Sequence, residues 1–135
     1  MKEQDIIGHK IIKLDEKGRI IVPALTDVKS QDKLILEKDN NYGDGALKIS
    51  DYKLYANIRE KLIKLRDSNI DNMDLYRKYN YVLEQINNAI MYIALVDNQN
   101  RIQIPKNIIL DLGWDTPGNL QFDGLGESFT LKKIK

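Results

Sequence analysis

Hydrophobic residues fall in short runs near the two ends of the chain and at helical intervals in the middle. Ile11, Ile12 and Leu14 lead up to Asp15, and Ile93, Leu95 and Val96 lead up to Asp97. Each run predicts a strand that stops at a turn. Lys33 to Glu37 and Ala46 to Ile49 flank a polar loop with glycines at 43 and 45, and Leu120 to Phe122 and Phe129 to Ile134 flank another with glycines at 124 and 126. Both pairs read as hairpins. Between the ends, Leu54, Ile58, Leu62 and Leu65 recur at helical spacing over 51–66, with Ser50 as the expected N-cap. Tyr76, Tyr79, Leu83, Ile86 and Ile90 predict a second helix running to about Tyr92, capped by Asp71, with Asp74 in its first turn.

The order is therefore β-unit, two helices, β-unit, and the two β-units are copies of one another. Leu14-Asp-Glu-Lys-Gly-Arg-Ile-Ile-Val-Pro23 recurs as Val96-Asp-Asn-Gln-Asn-Arg-Ile-Gln-Ile-Pro105, at a constant offset that carries Asp15 to Asp97 and Arg19 to Arg101. An aspartate at the first position of a turn accepts backbone N–H groups two residues on. Gly18 falls where a left-handed conformation is needed, and Asn100 fills that slot in the second copy, asparagine being the non-glycine residue that best tolerates it. A short strand follows and ends at proline, which cannot donate to a ladder. Pro105 then opens a helix over 106–112 closed by Gly113, whereas 24–30 has room for only a turn or two. The expected division is a first repeat over about 6–50, a helical pair over about 51–91 and a second repeat over about 92–135, all in a single α+β domain.

Composition narrows the chemistry. There is no cysteine and one histidine, His9, so thiolate, disulfide and most histidine-based chemistries are set aside, and no cofactor or metal is expected. The scattered carboxylates Glu37, Asp39, Asp44 and Asp51 have no nucleophile or base beside them and read as solvated charges. The glycine pairs do not open a helix after a strand, so they read as hairpin turns rather than phosphate loops. An enzyme is not expected. No apolar run is long enough to span a bilayer, and the polar first residues do not resemble a signal peptide, so the expected location is cytoplasmic. With 21 basic and 20 acidic residues, the net charge of +1 neither supports nor forbids a nucleic-acid partner.

Aspartate and arginine four apart across a turn have two readings. One is a staple, the carboxylate organising the turn and pairing with the guanidinium, worth under about 1 kcal/mol at a surface. The other is a presented donor fork for a phosphate or a guanine edge. The residues alone favour the staple. The doubled Asp-x-x-x-Arg motif, however, resembles the MraZ family of bacterial transcriptional regulators, within the AbrB-like swapped-hairpin superfamily. Gly43-Asp-Gly-Ala-Leu-Lys-Ile49 and Gly124-Leu-Gly-Glu-Ser-Phe129 resemble that family's segments after its two repeats. Asn100 replaces its second glycine, Pro23 to Val28 lacks its usual arginine, and Thr130-Leu-Lys132 stands where it has Glu-Ile-Trp.

The resemblance implies tandem repeats forming a double-wound β-barrel-type core with two intervening helices, a ring-shaped homo-oligomer, and binding to promoter direct repeats in the nucleoid. On that basis the expected DNA-contacting residues are Lys13, Lys17, Arg19, Gln99, Arg101 and Lys106, with Asp15, Gly18, Asp97 and Asn100 shaping the turns. Two other classes stay open: a protein-interaction module such as an AbrB/MazE-like antitoxin, and an oligomeric assembly that no longer binds DNA.

Overall fold

The computed structural model describes residues 9–23, 28–39, 45–124 and 128–134. Strands β1 (His9–Leu14), β2 (Arg19–Ile21), β3 (Lys33–Lys38) and β4 (Ala46–Asp51) precede helices α1 (Tyr52–Ser68) and α2 (Met73–Ala89). Then come β5 (Ile90–Leu95), β6 (Arg101–Gln103), helix α3 (Lys106–Leu112), β7 (Gly118–Gly124) and β8 (Ser128–Lys133). The predicted hairpins are present as β3–β4 and β7–β8, both antiparallel. The helix expected after Pro105 spans Lys106–Leu112 and ends on Gly113 at φ 70. Of the segment 24–30, expected to form a turn or two in the first copy, residues 24–27 lie outside the described residues.

Pairing among the remaining strands departs from a simple turn-linked hairpin. Although Asp15 closes a turn, β1 does not pair with β2. Instead β1 pairs with β7 of the second copy, and β5 pairs with β3 of the first. The strands after the two turns, β2 and β6, pair with each other in a separate two-stranded ribbon. The larger sheet runs β1-β7-β8-β4-β3-β5. Among the described residues it stays open: β1 and β5 are its two edges, so the expected barrel-type closure is absent there. The reason lies in the exchange itself, which joins the copies through β4 and β8 at the centre and carries each first strand outward.

The registers obey a pseudo-twofold axis. In the ribbon Ile20 faces Ile102, its own counterpart at the repeat offset. On the large sheet Lys48 faces Thr130, again a residue and its counterpart. Two further backbone bonds exchange under the same operation: Val22 N–H to Asn100 O at 2.7 Å and Ile104 N–H to Gly18 O at 2.8 Å. The core consists largely of such counterpart pairs. Leu14 and Val96, Ile20 and Ile102, and Val22 and Ile104 are all buried to 2% exposure or less. Burying each of these aliphatic side chains stabilises the fold by about 1.5–3 kcal/mol. Ile108, Ile109 and Leu112 of α3 and the neighbouring Trp114 cover one side, and Trp114 Nε1–H donates to Gly45 O at 2.8 Å.

The helical pair begins and ends differently from expectation. Asp51, rather than Ser50, caps α1, its carboxylate accepting from Lys53 N–H, because β4 continues through Asp51. Asn72, rather than Asp71, caps α2 by accepting from Leu75 N–H. The second helix stops at Ala89, and Ile90 to Tyr92 belong to β5, where Ile90 and Tyr92 pair with Glu37 and Leu36 of β3 and Met91 falls at a register irregularity between them. The two helices clasp each other through Arg66, which donates to Asn80 Oδ1 and lies over the Tyr76 ring, and through a Tyr55–Asn87 hydrogen bond. No residue of α1 is buried, and Leu83 is the buried one in α2.

Candidate nucleic-acid interface

Both Asp-x-x-x-Arg segments fold into the same turn. Asp15 Oδ1 accepts from Lys17 N–H at 2.9 Å and from Arg19 N–H at 2.8 Å, while Oδ2 accepts from Arg19 Nε at 2.9 Å. Asp97 repeats this with Gln99 N–H at 2.8 Å, Arg101 N–H at 2.9 Å and Arg101 Nε at 3.0 Å. The main chain closes each loop as well, Gly18 N–H reaching Asp15 O and Asn100 N–H reaching Asp97 O. These donors hold both carboxyls below the ordinary aspartate value of 3.8, the arginine backbone N–H being the largest cause in each turn.

Gly18 and Asn100 take the predicted left-handed conformation, at φ 78 and 60. Gly18 has a second reason to lack a side chain. A Cβ there would sit 2.8 Å from Ile109 Cδ1 and 3.1 Å from Ile104 O.

The staple therefore exists, and it leaves the fork available. Nε is used by the aspartate, and among the described residues neither guanidinium has any other protein partner. Arg19 and Arg101 side chains are 28% and 27% exposed. Each keeps four N–H donors on its two Nη atoms. An arginine already held by its aspartate has also surrendered part of its rotamer freedom, about 2 kcal/mol in full, so docking on an anion costs less than it would for a free side chain.

The ribbon sets the spacing of the two forks. Side chains alternate across a strand, so Ile20 and Ile102 point into the core while Arg19, Ile21, Arg101 and Gln103 share the outer face. Arg19 lies opposite Gln103 and Arg101 opposite Ile21. The arginines are thus diagonal, two residues apart along the strands and one strand apart across them, with Cα atoms roughly 8 Å apart by strand geometry. Ile21 is 64% exposed between them.

Of the other expected contact residues, Lys13 and Lys17 are exposed and line one concavity with Asp15, Glu16, Arg19 and Pro117. Gln99 is exposed at the tip of the second turn, which enters the ribbon from the opposite end. Lys106 is exposed at the start of α3, three residues beyond the ribbon.

Gln103 is an addition that sequence reasoning missed. Its Nε2 donates to Lys17 O and, at 3.3 Å, to Ile104 O, bracing the first turn from the second copy. Its position two residues after Arg101, on the same strand face, was the available signal. Asn98 was missed as well; it is exposed at the second tip, where its Oδ1 accepts from Ser30 Oγ at 3.1 Å.

Among the described residues no cluster of three or more potential metal-ligating side chains forms, and no helix is long and apolar enough to cross a membrane. No family model matches the chain, and no curated protein matches it.

Proposed function

We propose that the chain is a DNA-binding transcriptional regulator that docks on double-stranded DNA through the two arginine-bearing turns and the ribbon between them. The observation that carries this reading is the pair of dyad-related arginines on the outer face of a two-stranded antiparallel ribbon, each held by its own aspartate with its Nη donors unused among the described residues. A two-stranded ribbon fits the major groove of B-DNA, and an arginine fork matches phosphate oxygens or the O6/N7 edge of guanine. The interleaved strands of the two copies support the further reading of an MraZ-like member of the AbrB swapped-hairpin group, non-catalytic, cytoplasmic and associated with the nucleoid.

The active form on this reading is a homo-oligomer, ring-shaped as in that family. Uncovered apolar side chains support it: Leu54, Ile58, Leu65 and Met73 on the helical pair, and Tyr92, Ile93 and Leu95 on β5, are each more than a third exposed. Apolar surface of this kind marks contact sites. Repetition of a weak site around an assembly also answers the near-neutral charge, because many modest phosphate contacts multiply when they engage together.

The test is a titration of the protein with the duplex upstream of its own gene, against a scrambled duplex, at two salt concentrations. Tighter binding to the native duplex, weakening with salt, is the expected outcome. Affinity should fall about fivefold or more in Arg19→Ala and in Arg101→Ala, the scale of one lost bidentate arginine contact at about 1–3 kcal/mol. Unchanged affinity in both variants overturns the reading. The same apolar surface favours a second reading, a protein-interaction module of the antitoxin kind. Co-purification of a stoichiometric small toxin, with no DNA affinity, would select that one.

A further inference from the structure

The two turns share a backbone, but the side chains they carry are of different chemistry. Across the repeat offset, Lys10 becomes Tyr92, Lys13 becomes Leu95, Glu16 becomes Asn98 and Lys17 becomes Gln99. Every formal charge around the first turn except the Asp–Arg staple is neutral in the second. Lys13 and Lys17 border one concavity with Arg19, three cations beside the carboxylates of Asp15, which is held by the staple, and Glu16. The second tip presents Asn98-Gln99-Asn100, three side-chain amides in succession, beside Arg101. Gln99 makes no side-chain hydrogen bond among the described residues, and Asn98 uses only its oxygen, toward Ser30, leaving its NH2 group to donate.

The bracing differs as well. Gln103 Nε2 holds the main chain of the first turn through Lys17 O. Its counterpart Ile21 has no donor, so Gln99 O at the second tip receives no equivalent bond. The first tip is thus a braced, cationic element and the second a neutral one that presents the Gln99 amide and the Asn98 NH2 group.

Ammonium groups act on phosphate as point charges, whereas a side-chain amide offers donor and acceptor together and matches the N6/N7 edge of adenine in the major groove. Resting on the DNA-binding reading above, we propose that the turns divide the work: Lys13, Lys17 and Arg19 of the first anchor on phosphates, while Asn98 and Gln99 of the second read base edges. The second turn is then the specificity-determining element, and the first supplies sequence-independent affinity.

The experiment compares the wild-type chain with Lys13→Ala/Lys17→Ala, Asn98→Ala/Gln99→Ala and Gln99→Lys. Each is titrated with the native upstream duplex and a scrambled duplex over a salt series. All four positions are exposed, and circular dichroism checks that each variant is folded.

The lysine double variant should weaken binding to both duplexes by the same factor and reduce the slope of log affinity against log salt by about 1–2, one unit for each phosphate no longer engaged. The amide double variant should keep the salt slope and the affinity for scrambled DNA. Its preference for the native duplex should fall about tenfold or more, the scale of one amide–base pair. Gln99→Lys should raise affinity for both duplexes and steepen the slope by about one. An amide double variant that keeps its native preference overturns the assignment while leaving the DNA-binding reading intact. A lysine variant that loses preference without losing slope also overturns the assignment, and a wild-type chain that binds both duplexes equally overturns it together with the sequence preference expected above. A wild-type chain with no affinity for either duplex overturns the DNA-binding reading and this assignment together.

Discussion

The first and second turns have nearly superimposable hydrogen bonding: the three Asp15 bonds measure 2.9, 2.8 and 2.9 Å, and the three Asp97 bonds 2.8, 2.9 and 3.0 Å. Their surroundings are not alike. The first turn is glycine-bearing, pressed by Ile109 and braced by Gln103, while the second carries an asparagine at the left-handed position. The skeleton needs only an aspartate, a left-handed residue and an arginine whose backbone N–H is in place. Positions between them are left free, and there the copies have diverged. The scaffold is symmetric and the chemistry on it is not.

The largest effect should come from the shared part. Ile20 and Ile102 face each other on the pseudo-axis and are each 1% exposed. Truncating either to alanine opens the same interface from one side or the other and should cost about 2–5 kcal/mol, as buried isoleucine truncations do. Urea unfolding of Ile20→Ala and Ile102→Ala should give losses agreeing to within about 1 kcal/mol, within the spread that local relaxation produces. A large disparity would mean that the pseudo-symmetry of register does not extend to energetics.

A smaller effect should separate the copies. Gly18→Ala places a Cβ against Ile109 Cδ1 and Ile104 O at φ 78, combining left-handed strain with overpacking, so it should cost about 1–3 kcal/mol. Asn100→Gly removes a side chain from a left-handed position that glycine occupies freely, and should shift stability by less than about 1 kcal/mol in either direction. The same unfolding measurement decides it. If Gly18→Ala proves as mild as Asn100→Gly, the close approach of α3 to the first turn is not a constraint in solution.

Smaller still is the brace. Gln103→Ile installs the residue that the first copy carries at that position and removes the one side-chain donor that reaches the first turn, Nε2 to Lys17 O. The loss should be about 0.5–1.5 kcal/mol, the net worth of ordinary hydrogen bonds. Amide exchange should quicken around Lys17 and Gly18 more than around Gln99 and Asn100. Equal acceleration in both turns would show that the brace does not act locally.

Much of this arrangement was legible because it is local. The turn geometry followed from Asp15 and Gly18, and the stop of α3 from Gly113, since each depends on residues a few positions apart. The exchange of β1 and β5 between copies was not legible. Period-two patterning shows which face of a strand is buried but not which strand lies beside it. The end of α2 was ambiguous for a related reason: Ile90, Met91 and Tyr92 continue an apolar run that suits helix and strand alike, and pairing with β3 decides it. Both helix caps were one residue out because Ser50 and Asp51, and Asp71 and Asn72, are all competent caps. Within the site, the arginines were visible from the motif. Gln103 was not, because its partner Lys17 lies in the other copy.

The finest test concerns what the arginine contributes to its own turn. Both aspartates are held below 3.8, with the arginine backbone N–H ahead of the guanidinium among the lowering causes. A carboxyl whose folded pKa is depressed contributes stability that is present above its unfolded value and lost as pH falls through the folded one. Both turns should therefore loosen only below about pH 4, in the same window, with each carboxyl titrating below 3.8 when followed by carbon-detected NMR. Arg19→Gln removes the guanidinium and keeps the backbone donor, so Asp15 should remain depressed, though less so. Arg101→Gln should do the same for Asp97. If the Asp15 titration returns to its ordinary value in Arg19→Gln while Asp97 stays depressed in Arg101→Gln, the guanidinium rather than the main chain holds the first turn. The two skeletons would then differ beneath their matching distances.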